Sequence, residues 1–275
     1  MDQFYKKSKI NNMINNFLKN GFIIEKIFDE KEIQEFENTF LKLCKMQIRK
    51  LNLKIKSSKI QNVANFLGKK NFSALNEACL MANNSSVGHK LASNKKLLEI
   101  SNKLLKSNNS SNIISGPNIF INFSNSKISK YTWHSEQIWY PKRRNFVNIW
   151  CPIFEDRTKK NSIAIKLNSH KQNWFNFSEY QGYDGKYNKD SLVQYEIPEN
   201  FVKKYRTIIP KVKKNEGLFF DRKIVHRSLN IKNKKVLFAL GFRVHDYTND
   251  MTLSANWADI PYNRKSFGIP DINVN

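Results

Sequence analysis

The sequence predicts an α+β fold that is mainly β: a helical N-terminal part over residues 1–110, then an antiparallel β core over residues 111–250. Three observations carry this. Apolar residues recur at helical spacing in the first third, and from about Asn118 they give way to short β-branched or aromatic runs separated by turn residues. No internal repeat or low-complexity linker divides the chain, and 275 residues can bury one large core, so residues 1–275 read as a single domain.

In chain order, Ile10, Met13, Ile14, Phe17 and Leu18 form the stripe of an amphipathic helix over 9–19, with Gly21 as its stop. A short strand, Phe22 to Glu25, follows. Asp29 with Glu30 and Glu32 reads as an N-cap and acidic first turn, and Ile33, Phe36, Phe40, Leu41 and Leu43 continue that helix to about Leu51. Another helix is expected from Asn94 to Leu105; no element is placed between Leu51 and Asn94. Strand-like runs occupy Ile119–Phe123, Tyr131–Trp133, Val147–Trp150, Ser162–Ile165, Glu216–Asp221 and Val236–Leu240. Residues 173–200, rich in Asn, Tyr and Gly with little periodicity, read as an insertion of the lid or binding-loop kind. Residues 251–275 read as a C-terminal tail.

The formal net charge of +24 raises nucleic acid, anionic membranes and acidic substrates as partners. The lysines are spread over the whole chain and interleaved with Asn and Ile, however, and no nucleic-acid motif accompanies them. The expectation is therefore no nucleic acid and no membrane insertion, since no stretch approaches the roughly 18 apolar residues of a membrane span. Cys44, Cys79 and Cys151 are widely spaced and form no CxxC, which suits a reduced, cytoplasmic protein.

The chemistry sits in His134-Ser135-Glu136 and in His226 of Ile224-Val225-His226-Arg227-Ser228. Alternate residues of a β-strand project from one face, so His134 and Glu136 can grip one ion together, with a second strand bringing in His226. Two imidazoles and one carboxylate on one face of an octahedral metal leave three positions open, the arrangement of a non-haem iron(II) centre. A histidine taken alone is more often a core or surface residue, and His89, His170 and His245 are read that way. Aromatics such as Trp139, Tyr140, Trp150 and Trp174 are core packing or the lining of a substrate pocket. Lys142, Arg143 and Arg144 form a solvated loop or a contact for a substrate anion.

These motifs resemble the phytanoyl-CoA dioxygenase-like family of iron(II)/2-oxoglutarate oxygenases. Trp133-His134-Ser135-Glu136 is similar to its WHxD motif, and Val147 to Ile153 to the strand that follows. Asn161 to Lys171 is similar to its NGxLxxxPGSHK segment, and Glu216-Gly217 through His226-Arg227-Ser228-Leu229-Asn230 to its distal-histidine segment. The resemblance covers about Asn118 to Tyr247. It implies a double-stranded β-helix (jelly-roll, cupin-like) core with N-terminal helices. It further implies Fe(II) held by His134, Glu136 and His226, with 2-oxoglutarate and O2 as co-substrates. The reaction it implies is oxidation, hydroxylation first, of a small anionic metabolite such as a sugar or sugar nucleotide, a phosphonate or an acyl thioester.

The chain departs from the family twice. Glu136 replaces aspartate, and Leu237 occupies the place of the arginine that takes the distal carboxylate of 2-oxoglutarate. Lys235, two residues away on the same strand face, is the geometric substitute. Arg243 lies on that face roughly 20 Å further along, and Ser228 can add a hydroxyl. A catalytically silent jelly-roll binding protein for a glycan or anionic ligand is the alternative that these departures motivate.

Overall fold

A computed structural model describes residues 2–107, 112–122, 132–139, 145–156, 163–174, 197–229 and 237–246. Helix α1 (Asp2–Asn20) ends at Gly21, whose φ of +81° is left-handed and whose amide donates to Phe17 O at 2.7 Å. A Cβ there would lie 2.4 Å from Nδ1 of His170, so glycine serves both the backbone conformation and the close approach of the imidazole. His170 Nε2 lies 3.1 Å from Leu18 O, a structural contact of the kind expected.

Strand β1 (Phe22–Lys26) leads to α2 (Glu30–Lys50). Asp29 caps α2 as the sequence predicts: its side chain accepts from Glu32 N at 2.8 Å, and the Glu32 carboxylate accepts from Asp29 N at 2.9 Å. Such a reciprocal cap contributes about 1 kcal/mol. Helices α3 (Ile60–Lys70), α4 (Phe72–Asn83) and α5 (Ser86–Ala92) fill the stretch where the sequence places no element. Helix α6 (Lys95–Leu105) starts at Asn94, which caps it.

The strands are β2 (Asn112–Asn122), β3 (Phe146–Pro152), β4 (Ile163–Lys166), β5 (Thr207–Ile208), β6 (Glu216–Asp221), β7 (His226–Ser228) and β8 (Leu237–Asp246). They form two antiparallel sheets, a larger one in the order β1-β6-β3-β8-β2 and a smaller one in the order β5-β4-β7. Alternation sorts the side chains into layers. One face of the larger sheet, with Ile149, Phe219, Phe238, Leu240 and Phe242, packs on α2 to α6. Phe40 meets Phe238 edge-on at 5.6 Å between ring centroids, and truncating either ring to Ala costs about 3–5 kcal/mol. The opposite face, with Leu218 and Phe220, meets Ile163 and Ile165 of the smaller sheet. Behind the smaller sheet, Trp133, Ala164, Trp174, Ile197, Val202 and Val225 make a third apolar layer.

Two expectations change. The run at Tyr131–Trp133 is not a strand where it is described: Thr132 and Trp133 are irregular, His134 makes a single bridge to His226, and Glu136 opens a one-turn helix, α7 (Glu136–Trp139). The chain leaves the sheet there because Gln137 N bonds Arg222 O at 3.0 Å, outside any ladder. The proposed insertion 173–200 is described only at its ends, up to Trp174 and from Ile197, where it enters α8 (Glu199–Val202). Tyr140, Lys142, Arg143, Arg144, Lys235 and residues 251–275 lie outside the described residues. The three cysteines are free and buried, and no described helix is long and apolar enough to cross a membrane.

Candidate metal centre

His134 and His226 are brought together by backbone pairing: His134 N donates to His226 O at 3.0 Å and His226 N to His134 O at 2.9 Å. The rings sit on one side of that bridge, 4.2 Å between centroids. Each imidazole is oriented by the carbonyl two residues before it, His134 Nδ1 by Thr132 O at 2.7 Å and His226 Nδ1 by Ile224 O at 3.0 Å. A carbonyl only accepts, so both Nδ1 atoms carry the proton and Nε2 is the lone-pair nitrogen of each ring, the atom able to ligate an ion. Phe220 packs edge-on against His226 at 4.7 Å and fixes its ring plane.

Glu136 completes the set from the first position of α7, not from alternate strand positions, yet all three residues offer ligand atoms within 4.8 Å of one another. All three are buried. Burial, with His134 alongside, drives the His226 imidazole down to about 3. Burial also lowers His134. On Glu136 burial acts upward, but Arg243, His226 and His134 together outweigh it and hold the carboxyl below its ordinary range. At neutral pH the site therefore presents two neutral imidazoles and one carboxylate, the protonation states that a divalent metal requires. The 3.8 Å approach of Glu136 Oε1 to His226 Nε2 is accordingly a contact of neighbouring ligands, not an ion pair.

The sequence missed the partner of Glu136. Arg243, six residues along β8 from Leu237, donates to Glu136 Oε2 from Nε at 2.9 Å and from Nη2 at 2.6 Å. The sequence does put Arg243 on the same strand face as Leu237, but only the three-dimensional path of 134–137 brings it to the metal end of that strand. Asn148 was missed too. It is opposite Arg243 on β3 and opposite Phe220 on β6, so its side chain shares their inward face. It is 3 % exposed, and neither atom of its amide has a hydrogen-bond partner among the described residues. One polar residue in an otherwise apolar buried strand was the available signal.

The opposite side of the motif is a clamp. Trp133 Nε1 donates to Glu199 Oε2, while Lys166 Nζ and Arg227 Cζ lie 4.5 and 4.3 Å from the Trp133 ring centroid. Lys166 also reaches Glu199 Oε1 at 3.3 Å, and Ile197 N donates to Trp133 O at 2.6 Å. Gln137 donates to Asn173 Oδ1 and accepts from Trp174 N at 3.1 Å. The segment carrying His134 and Glu136 is thus tied to both described ends of the 173–200 insertion. Ser228 faces inward, across from Ile163 on β4. Trp174 is fully buried in the layer behind the smaller sheet, and half-buried Trp150 packs against the apolar cluster between the sheets. His89 is exposed, and His245 is buried with its ring 4.8 Å from Phe146.

Compared with solved structures, the chain matches the non-haem α-ketoglutarate-dependent epimerase SnoN from nogalamycin biosynthesis at a TM-score of 0.53. The identity is 10 %, over 87 % of this chain and 84 % of that one. The chain shares its fold with non-haem oxygenases. The apoform of EctD from S. alaskensis gives a TM-score of 0.56 at 13 % identity over 86 % of this chain and 77 % of its own. The non-haem monooxygenase ThoJ gives 0.52 at 11 % identity, over 85 % and 77 %. No family model and no curated protein matches the sequence.

Proposed function

We propose that the chain is a non-haem iron(II) oxygenase with 2-oxoglutarate and O2 as co-substrates, built on a double-stranded β-helix of its two sheets. The observation that carries the reading is the buried cluster of His134, Glu136 and His226, whose ligand atoms lie within 4.8 Å of one another, in a fold shared with enzymes of that kind. Three protein ligands leave three positions for a chelating 2-oxo acid and dioxygen. When bound, iron(II) with these co-substrates supplies the oxidising chemistry.

The chain's own residues do the rest. The carbonyls of Thr132 and Ile224 hold the imidazoles in their ligating tautomer, and Phe220 and the surrounding apolar side chains keep bulk water from the ligands. Ser228, two residues beyond His226 and across from Ile163, is the hydroxyl we assign to the co-substrate. Because Arg243 is engaged with Glu136, Lys235 is the cation we assign to the distal carboxylate of 2-oxoglutarate. The substrate class we assign is a small anionic metabolite, such as a sugar derivative, phosphonate or acyl thioester, and the outcome hydroxylation. Proteins of similar fold include an epimerase, a carbocyclase and a monooxygenase, so the outcome depends on where the substrate C–H bond is held. A reducing compartment fits three free thiols and an iron(II) centre.

Anaerobic addition of Fe(II) and then 2-oxoglutarate tests this. A visible charge-transfer band and, on admitting air, succinate formation are expected; neither appearing sinks the reading. One observation favours a second reading. The Arg243–Glu136 ion pair compensates the buried carboxylate without any metal, as a silent binding protein would need. That reading gains if purified protein takes up no Fe, Mn, Co or Ni.

A further inference from the structure

We propose that Arg243 is a positioning residue that makes Glu136 a one-oxygen metal ligand and so keeps three coordination positions open. Its role depends on the metal reading above. Two N–H groups of one guanidinium converge on Oε2 of Glu136, at 2.9 and 2.6 Å, while Oε1 is the oxygen that faces His226 Nε2 at 3.8 Å. An ionised carboxylate has about four lone-pair sites. Arg243 occupies those of Oε2 in a buried setting where charge-assisted bonds are strong. Chelation by both oxygens would have to break these bonds, so only Oε1 enters the coordination sphere.

Glu136 needs such a partner. It opens a helix of four residues, and its long side chain has more rotamers to lose than an aspartate has. Arg243 is well placed to supply the restraint. Its strand is held on both sides, by β3 at Asn148 and by β2 at Ser115, so the guanidinium is mounted on the rigid larger sheet while Glu136 is on a turn. The longer carboxylate at 136 and the arginine at 243 thus explain one another. The additional methylene lets a single carboxylate span from the sheet's arginine to the point where the two Nε2 atoms converge.

The consequence is a division of effects. Losing Arg243 frees Oε2 to close onto the metal and to take one of the three open positions. Metal affinity is then retained, since a bidentate carboxylate binds at least as well and a nearby positive charge has gone. Chelation by a 2-oxo acid, which needs two of those positions, is impaired.

The test uses Co(II), whose visible d–d spectrum reports coordination number and symmetry, in the full chain. Wild type, Arg243→Met and Arg243→Lys are compared for Co(II) affinity, for the d–d spectrum, and for 2-oxoglutarate affinity of the Co(II)-loaded protein by calorimetry. Arg243→Met is expected to change the spectrum and to keep Co(II) affinity within about tenfold, while weakening 2-oxoglutarate binding by about 10- to 100-fold, a loss as large as outer-shell substitutions produce in metal affinity or activity. Arg243→Lys, with one point-like donor, is expected to fall between. An unchanged spectrum in both variants overturns the inference, as does a parallel loss of metal and 2-oxoglutarate affinity, which marks a merely structural role. Should Arg243→Met fail to fold, Arg243→Lys carries the same comparison. Wild-type protein that takes up no Co(II) instead overturns the metal reading itself, and that result is visible before any variant is made.

Discussion

Two carboxylates flank the segment 132–137, and they work under opposite conditions. Glu136, on the inner side, is 9 % exposed at its side chain and lies 2.6 Å from Arg243; Glu199, on the outer side, is 61 % exposed and lies 3.3 Å from Lys166 and 3.8 Å from Arg227. Solvent reaches Glu199 and limits what the outer cluster contributes, although Lys166 itself is buried, whereas the inner pair meets in a poorly hydrated site where the loss of one member costs more. The outer clamp fixes where the segment runs. The inner pair fixes what it can bind.

The comparison breaks most completely at the inner ligands. His226→Ala is expected to abolish tight Co(II) uptake, measured by equilibrium dialysis; uptake at the wild-type level would mean that the metal lies elsewhere. Next in size is Glu136→Leu, which removes the carboxylate bonded to the partly buried Arg243 guanidinium and should destabilise the metal-free protein by about 1.5–3 kcal/mol in urea unfolding. The double variant Glu136→Leu with Arg243→Leu should recover most of that loss, because replacing a whole buried pair by apolar groups is close to neutral. Equal losses in the single and double variants would show that the pair is not the source of the penalty.

The pH dependence follows from the same side of the segment. His226 is held down to about 3 in the folded protein against about 6.5 in an unfolded chain, so between those values the unfolded state binds the additional proton. Stability of the metal-free protein is then full above pH of about 6.5 and falls as pH drops toward 3; Glu136, whose folded value is also depressed, adds to the loss at the acid end. A urea midpoint that stays flat from pH 7 to 4 would contradict this.

Smaller effects separate the remaining residues. Asn148→Leu removes an amide with no partner among the described residues and should stabilise the apoprotein by about 1 kcal/mol. A clear loss of stability would instead mean that the amide is satisfied within the fold. Glu199→Gln is expected to cost about 1 kcal/mol or less and to leave Co(II) affinity unchanged, because its side chain is largely in solvent. A large drop in metal affinity would show that the outer clamp governs ligand geometry as well as chain path.

Local chemistry was readable in the sequence and long-range convergence was not. The Asp29 cap, the stop at Gly21 and strands β3, β6 and β8 follow from periodicity and turn residues within a few positions of one another. Helices α3 to α5 did not stand out: α3 has no side-chain cap to mark its start, α5 has only 7 residues, and α4 carries apolar side chains around most of its circumference, which blurs the 3.6-residue stripe. His134, Glu136 and His226 were legible as a set from residue type and strand context. Their local structure was not, since the turn at Glu136 depends on Gln137 bonding Arg222, 85 positions along the chain. Arg243 was legible as a strand-face cation, yet its meeting with Glu136 spans 107 residues and leaves no local trace in the sequence.

The measurement that bears most directly on the central claim, a facial iron site made by His134, Glu136 and His226, is an anaerobic Fe(II) titration of wild type and His226→Ala in the presence of 2-oxoglutarate. A charge-transfer band that saturates at one iron per chain in the wild type and is absent from the variant is the predicted result. No band in the wild type, or the same band in both proteins, would contradict it.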